Sequence, residues 1–240
     1  MKKLKIKTLL KGYKNFKLIF RNQVFESGKI NILFGPNGVG KTTFFYSLLN
    51  LKIPDLREFE YVEKNTNIII KDHIKLKQKL MFIPEENMIY EYFKGKEFIK
   101  FFLSGFNKEY NKAQVLNEGK KWNINEKILN KKIKNYSKGM KKKILLMANI
   151  LRNPEIIIMD EFDTGLDAWS LEYLREWLIN QKRQDKIIIL STHIIDIIEN
   201  FGDNITIIKQ GKNVLNESIE NIKKKDTDFR KYILNAGFLK

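Results

Sequence analysis

Three stretches of this chain are nearly unbroken runs of apolar, largely β-branched side chains: KINILF at 29–34, EIIIMD at 155–160 and KIIILS at 186–191. Such runs mark strands buried on both faces, as in a parallel sheet, because a strand wetted on one face alternates instead. NITIIK at 204–209 predicts a further strand of this kind. Between the second and third runs, Leu171, Leu174 and Leu178 recur at helical spacing, so residues 168–182 predict a helix and complete a β–α–β unit. Ile144, Leu145, Ala148 and Leu151 predict another helix over 141–151, stopped by Asn153-Pro154. Residues 88–150 as a whole are rich in Phe, Tyr and Lys and hold no strong strand, which predicts a mostly helical subdomain inserted into an α/β core.

Composition narrows the function classes. The absence of cysteine excludes disulfides and thiolate metal sites, and two histidines argue against a zinc enzyme. No apolar run reaches the ~18–20 residues of a membrane helix. MKKLKIKTLLKGYK has a basic start but no apolar stretch of ~7 residues after it, so a cytosolic chain is expected rather than a secreted one. The net charge of +17 is spread along the whole length, which reads as a compositional bias compatible with a membrane-surface location. No internal repeat or low-complexity linker divides the 240 residues.

The chemistry begins where the first buried run ends. GPNGVGKTT, residues 35–43, has the spacing G-x-x-x-x-G-K-[ST] with Gly35, Gly40, Lys41 and Thr42. Glycines let backbone N–H groups close around phosphate oxygens, Lys41 can reach the terminal phosphates, and Thr42 offers a hydroxyl to Mg²⁺. A chance match over such a chain is about 1 in 100 at average residue frequencies. The strand before it and the helix after it make chance less plausible still.

Two further strand ends carry polar chemistry. In IIIMDEFDTGLD, Asp160 closes an apolar run where a carboxylate can hold Mg²⁺, and Glu161 follows in position to orient and polarise a water. His193, in ILSTH, stands at the end of the next strand as a donor to a γ-phosphate. Ligands collect at the carboxyl ends of open parallel sheets, so the three motifs predict one site. His73, in IKDHIK, is expected to be an incidental loop residue.

KNYSKGMKKK at 134–143 resembles a nucleic-acid patch until Ser137 and Gly139 are noticed. A solvated basic run needs neither. Just ahead of a helix, a serine hydroxyl and free N–H groups form an anion site.

With these motifs in this order, the sequence resembles the ATP-binding cassette (ABC) family over nearly its whole length. Gly35, Pro36, Asn37, Gly38, Val39, Gly40, Lys41, Thr42 and Thr43 match Walker A, and Asp160-Glu161 match Walker B with its catalytic glutamate. YSKGM at 136–140 resembles the signature motif, with Lys138 and Met140 at positions where Gly and Gln are commonest. TGLD at 164–167 resembles the D-loop and His193 the switch histidine. Tyr13, or else Phe16, would be the aromatic residue stacked on adenine. FIPEEN at 82–87 occupies the Q-loop position, with Glu85 where Gln is usual, so the metal role of Glu85 is in question; Phe162 replaces a common Pro.

The resemblance implies a P-loop NTPase (RecA-like) parallel core with an N-terminal antiparallel β region. It implies one ATPase domain over 1–240: a nucleotide-binding core of 1–87 and 151–210, a signature-bearing helical subdomain of 88–150 and a tail of 211–240. That tail reads as a basic amphipathic segment capping the core. The cofactors implied are ATP and Mg²⁺, the metal held by Thr42 and Asp160 with Glu85 as a further candidate. Ser137 and Gly139 would contact the ATP of a second cassette, same or different, in a head-to-tail dimer, while Lys138 and Lys141 to Lys143 would form mainly a solvated or phosphate-attracting rim. Separate membrane-spanning permease subunits would place the chain on the cytoplasmic face of the membrane. The segment after the Q-loop is similar to cassettes that power exporters of drugs, antimicrobial peptides and envelope components. A soluble cassette of the iron–sulfur assembly type and a nucleic-acid-handling cassette are the rival readings. A single motif set without a coiled-coil insert argues against the second, and no nucleic-acid partner is expected.

Overall fold

The computed structural model describes residues 1–63, 68–86, 89–225 and 228–238. Its first two strands, β1 (Lys2–Tyr13) and β2 (Phe16–Glu26), form an antiparallel pair, followed by β3 (Lys29–Phe34) and helix α1 (Lys41–Leu48). Strands β4 (Leu56–Glu63) and β5 (Ile68–Ile70), helix α2 (His73–Lys79) and strand β6 (Leu80–Ile83) come next. His73 therefore opens a helix, capped by the Asp72 carboxylate, rather than lying in a loop.

Helices α3 (Gly95–Ser104), α4 (Lys112–Lys121), α5 (Glu126–Leu129) and α6 (Lys138–Arg152) make up the inserted helical region. The chain returns through β7 (Ile156–Met159), α7 (Ala168–Arg183), β8 (Ile187–Thr192), α8 (Ile195–Phe201) and β9 (Asn204–Lys209). The apolar runs of the sequence are thus β3, β7, β8 and β9. All four residues of β7 and all six of β8 are buried, as the unbroken runs imply.

One sheet unites the strands in the order β5-β4-β1-β2-β10-β9-β3-β8-β7-β6. From β9 to β6 every pairing is parallel, and from β2 to β5 every pairing is antiparallel. The join is β10 (Lys212–Ser218), antiparallel to β9 and bridged to β2 in parallel. The segment after 211 therefore begins as a strand inside the sheet, and only α9 (Ile219–Lys225) and α10 (Phe229–Phe238) pack outside it. Leu215 and Asn213 alternate with more exposed neighbours, a half-wetted pattern that charge obscured in the sequence.

The sheet has two apolar faces. On one, Phe44, Phe45 and Leu48 of α1 meet Leu4, Ile6, Leu9, Leu18, Phe20 and Phe25 of the antiparallel strands. Phe20 and Phe44 stack with ring centroids 4.2 Å apart. This packing wraps the antiparallel half around α1 and fixes the loop that precedes it. On the other face α7, α8 and the helical region share a core that includes Trp122, Met147, Leu174 and Ile198.

Candidate active site

The loop between β3 and α1 owes its path to Gly38 and Gly40, with φ of 82° and 110°. L-residues other than glycine are strained there. Gly40 also permits close packing: a Cβ would stand 2.8 Å from Cζ of Phe16. The first-turn amides of α1 have no intrahelical acceptors and carry the positive end of its dipole.

Lys41 is buried, and its Nζ donates to the carbonyls of Gly35 at 2.7 Å and Pro36 at 3.3 Å. It also lies 3.3 Å from Oε1 of Glu161. The other carboxylate oxygen of Glu161, Oε2, is 2.8 Å from Nδ1 of His193. Thr42 Oγ1 donates to Asp160 Oδ2 at 2.5 Å, and Ser191 Oγ donates to Asp160 Oδ1 at 2.5 Å. Ser191 also accepts from the Glu161 amide at 2.8 Å, so one β8 hydroxyl orients both acids after β7.

Burial pushes the Asp160 carboxyl above its ordinary range, opposed by the hydrogen bonds from Ser191 and Thr42; the Glu161 charge pushes the same way as burial. A cation beside Asp160 would relieve that cost. Thr42 Oγ1 and Asp160 Oδ2 are hard oxygen donors side by side at the pocket, the donor type Mg²⁺ takes.

A cavity of about 350 Å³ collects Phe16, Asn37, Gly38, Gly40, Lys41, Thr42 and Thr43 with Glu85 and Glu161. Gly35, Pro36 and Val39 stand behind it: the first two supply carbonyls to Lys41, and Val39 packs on the core. Phe16, not Tyr13, is the aromatic side chain on the cavity wall. Tyr13 is 43% exposed, its ring 6.3 Å from that of Phe16 and under the Lys11 and Lys52 ammonium groups. Ser137 caps α6, accepting from the Met140 amide at 3.2 Å, and is exposed with Lys138 beyond the cavity lining.

The lysine rim expected at 138 and 141–143 is only partly a rim. Lys142 and Lys143 are 2% and 7% exposed. Lys143 pairs with Asp167 at 2.6 Å, while Lys141 pairs with Glu91. The signal was present in the pattern, since Lys142 shares the stripe of Leu145, Leu146 and Asn149 at i+3, i+4 and i+7. Phe162 also has a reason: it is wholly buried and stacks on Phe201 at 5.9 Å.

A family model described as "ABC transporter" matches residues 22–164. The chain belongs to the ABC transporter family. An uncharacterized ABC transporter ATP-binding protein of Methanocaldococcus jannaschii is 32% identical over 99% of this cassette and 86% of its own length. The SkfA peptide export ATP-binding protein SkfE of Bacillus subtilis is 29% identical over 78% of the cassette and 77% of its own length. Among solved structures, the ATP-binding subunit of an ABC transporter superposes with a TM-score of 0.79 at 24% identity, covering 92% of each chain. The cassette is thus an ATP-binding, ATP-hydrolysing subunit of a transporter. Among the described residues no helix is long and apolar enough to cross a membrane.

Proposed function

We propose that this ATPase hydrolyses Mg²⁺-ATP between two cassettes and drives export of a peptide, drug or envelope component through separate permease subunits. The observation that carries the reading is the convergence of Lys41, Thr42, Asp160, Glu161 and His193 through contacts of 2.5–3.3 Å at the ends of β3, β7 and β8.

Phe16 forms the wall for adenine, and the amides at the start of α1 receive the phosphates. Lys41 exchanges Glu161 and the Gly35 and Pro36 carbonyls for phosphate oxygens. Thr42 and Asp160 would hold Mg²⁺, which when bound would neutralise phosphate charge; Glu85, on the cavity wall, is a further candidate ligand. Glu161, released from Lys41, orients and polarises the attacking water. As the water oxygen bonds to the γ-phosphorus, its proton passes to Glu161, the bond to the bridging oxygen breaks, and ADP and inorganic phosphate leave. His193, held by Glu161 through Nδ1, keeps Nε2 for the γ-phosphate.

Ser137, exposed at the start of α6, and Gly139, half-buried beside it, serve the ATP of the second cassette. Residues 88–150 act as the moving subdomain on a core of 1–87 and 151–210. A groove of about 310 Å³ between the two, lined by Leu49, Leu51, Phe82, Phe102, Phe106 and Leu145, receives a permease helix on the cytoplasmic face of the membrane. The peptide-export function named for one relative supports the direction of transport.

The reading is tested by measuring turnover of the purified chain with and without its co-expressed permease. Slow basal hydrolysis that rises with permease is expected. Rapid turnover by a strictly monomeric chain overturns the two-cassette site.

A further inference from the structure

Lys142 carries a buried ammonium that the reaction above does not use. Its Nζ donates to the Thr164 carbonyl at 2.6 Å and reaches the carbonyls of Glu161 at 3.3 Å and Phe162 at 3.4 Å. All three belong to the turn after β7. Glu161 itself has φ of 46°, a left-handed value that non-glycine residues rarely adopt. Such backbone persists only where the surroundings hold it.

The neighbours of Lys142 on α6 grip the same turn. Gly139 allows close approach: a Cβ there would stand 3.1 Å from the Gly165 carbonyl oxygen. Lys143 pairs with Asp167 at 2.6 Å. Contacts at 139, 142 and 143 therefore follow the chain from 161 to 167, and the start of α6 is fastened to the turn that bears Glu161.

A lysine is a costly way to fill a core position, and apolar side chains would pack there without desolvating a charge. What only a long cationic donor supplies is simultaneous attraction for several carbonyls. The charged groups facing it are Asp163, Lys138, Glu161 and Glu85. Burial outweighs the acids and lowers the ammonium to about 8.

We propose that Lys142 is a positioning residue for hydrolysis: by gathering the carbonyls of Glu161, Phe162 and Thr164, it sets the water-orienting carboxylate according to the position of the signature-bearing helix. This rests on the reading of Glu161 given above. If Ser137 and Gly139 engage the partner cassette's ATP, the same clasp links that contact to the chain's own Glu161.

The test uses the full chain with Mg²⁺-ATP and the variants Lys142→Met and Lys142→Arg, alongside Glu161→Gln. In Lys142→Met, kcat is expected to fall about tenfold or more, while KM and the affinity for a fluorescent ATP analogue stay within about twofold. Lys142→Arg, charged and rich in donors, is expected to restore turnover at neutral pH. The wild-type kcat should decline as pH rises through about 8, when the ammonium loses its proton. In Lys142→Arg that alkaline decline should disappear, because guanidinium stays protonated.

Wild-type turnover in Lys142→Met overturns the proposal, as does an Arg variant as slow as the Met variant. An alkaline decline unchanged in Lys142→Arg also overturns it, and decides the matter if the Met variant fails to fold. Normal turnover in Glu161→Gln refutes instead the reading of Glu161. Slow Glu161→Gln with normal Lys142→Met removes Lys142 alone.

Discussion

Nζ of Lys41 lies 3.3 Å from Oε1 of Glu161, and the two side chains are only 6% and 8% exposed. The two side chains are thus each other's counter-ions. In the proposed reaction a γ-phosphate entering the site would take Lys41 from Glu161, and that exchange would free the carboxylate for water. Binding and catalytic readiness would then be coupled through this pair.

Replacing Glu161 by Gln keeps its shape and removes the charge. Turnover is expected to drop at least ~10²-fold, the low end for a positioned general base. ATP affinity should hold at the wild-type level or above, since Lys41 then has less competition from within the chain. Size-exclusion chromatography with Mg²⁺-ATP should show a trapped dimer. Asp160→Asn should instead weaken Mg²⁺-dependent nucleotide binding, which titration with and without the metal would reveal.

Ser137→Arg separates a trans role from a cis one. The side chain is exposed at the start of α6 and is not part of the cavity wall formed with Lys41. Nucleotide binding by the monomer is expected to remain near normal while hydrolysis is abolished. Loss of ATP binding in the monomer would put Ser137 in its own chain's site.

Phe16→Ala is expected to weaken ATP binding about tenfold or more, because base–aromatic stacking contributes about 1–3 kcal/mol. Tyr13→Ala should change it by less than about twofold. Equal losses would return Tyr13 to the adenine site.

Leu51 stands 52% exposed on the rim of the groove between core and helical region. Leu51→Asp should leave basal hydrolysis unchanged and remove permease stimulation and detergent co-purification. Intact stimulation would direct the search for the docking surface elsewhere.

Asp167 responds to acid in a defined direction. Lys143, followed by the Ser170 amide, holds its carboxyl down at about 2. An unfolded Asp titrates near 3.9. The contribution to stability is therefore present above about pH 4 and is lost as pH falls towards 2. Asp167→Asn should reduce the drop in melting temperature measured across that interval. An unaltered drop would mean the half-exposed pair contributes nothing measurable.

What the sequence determined by itself was whatever local periodicity and short-range geometry control. Unbroken β-branched runs predicted β3, β7, β8 and β9, and the glycine spacing with Lys41 and Thr42 predicted the phosphate loop, because its backbone path is dictated within a few residues. The strand ends then carried Asp160, Glu161 and His193 to one edge. Contacts between distant segments were decided only by the tertiary structure. Phe16 rather than Tyr13 reaches the cavity because the β1–β2 hairpin folds over Gly40, where a missing Cβ leaves room for its ring. Residues 212–218 become a strand by filling the gap between β2 and β9. Lys142 and Lys143 read as solvent-facing charges, yet the turn at 161–167 supplies carbonyls and a carboxylate that draw both inward. The helical stripe with Leu145, Leu146 and Asn149 marks the face Lys142 occupies, but the partners that make a buried charge tolerable are far away in sequence, and no local pattern names them.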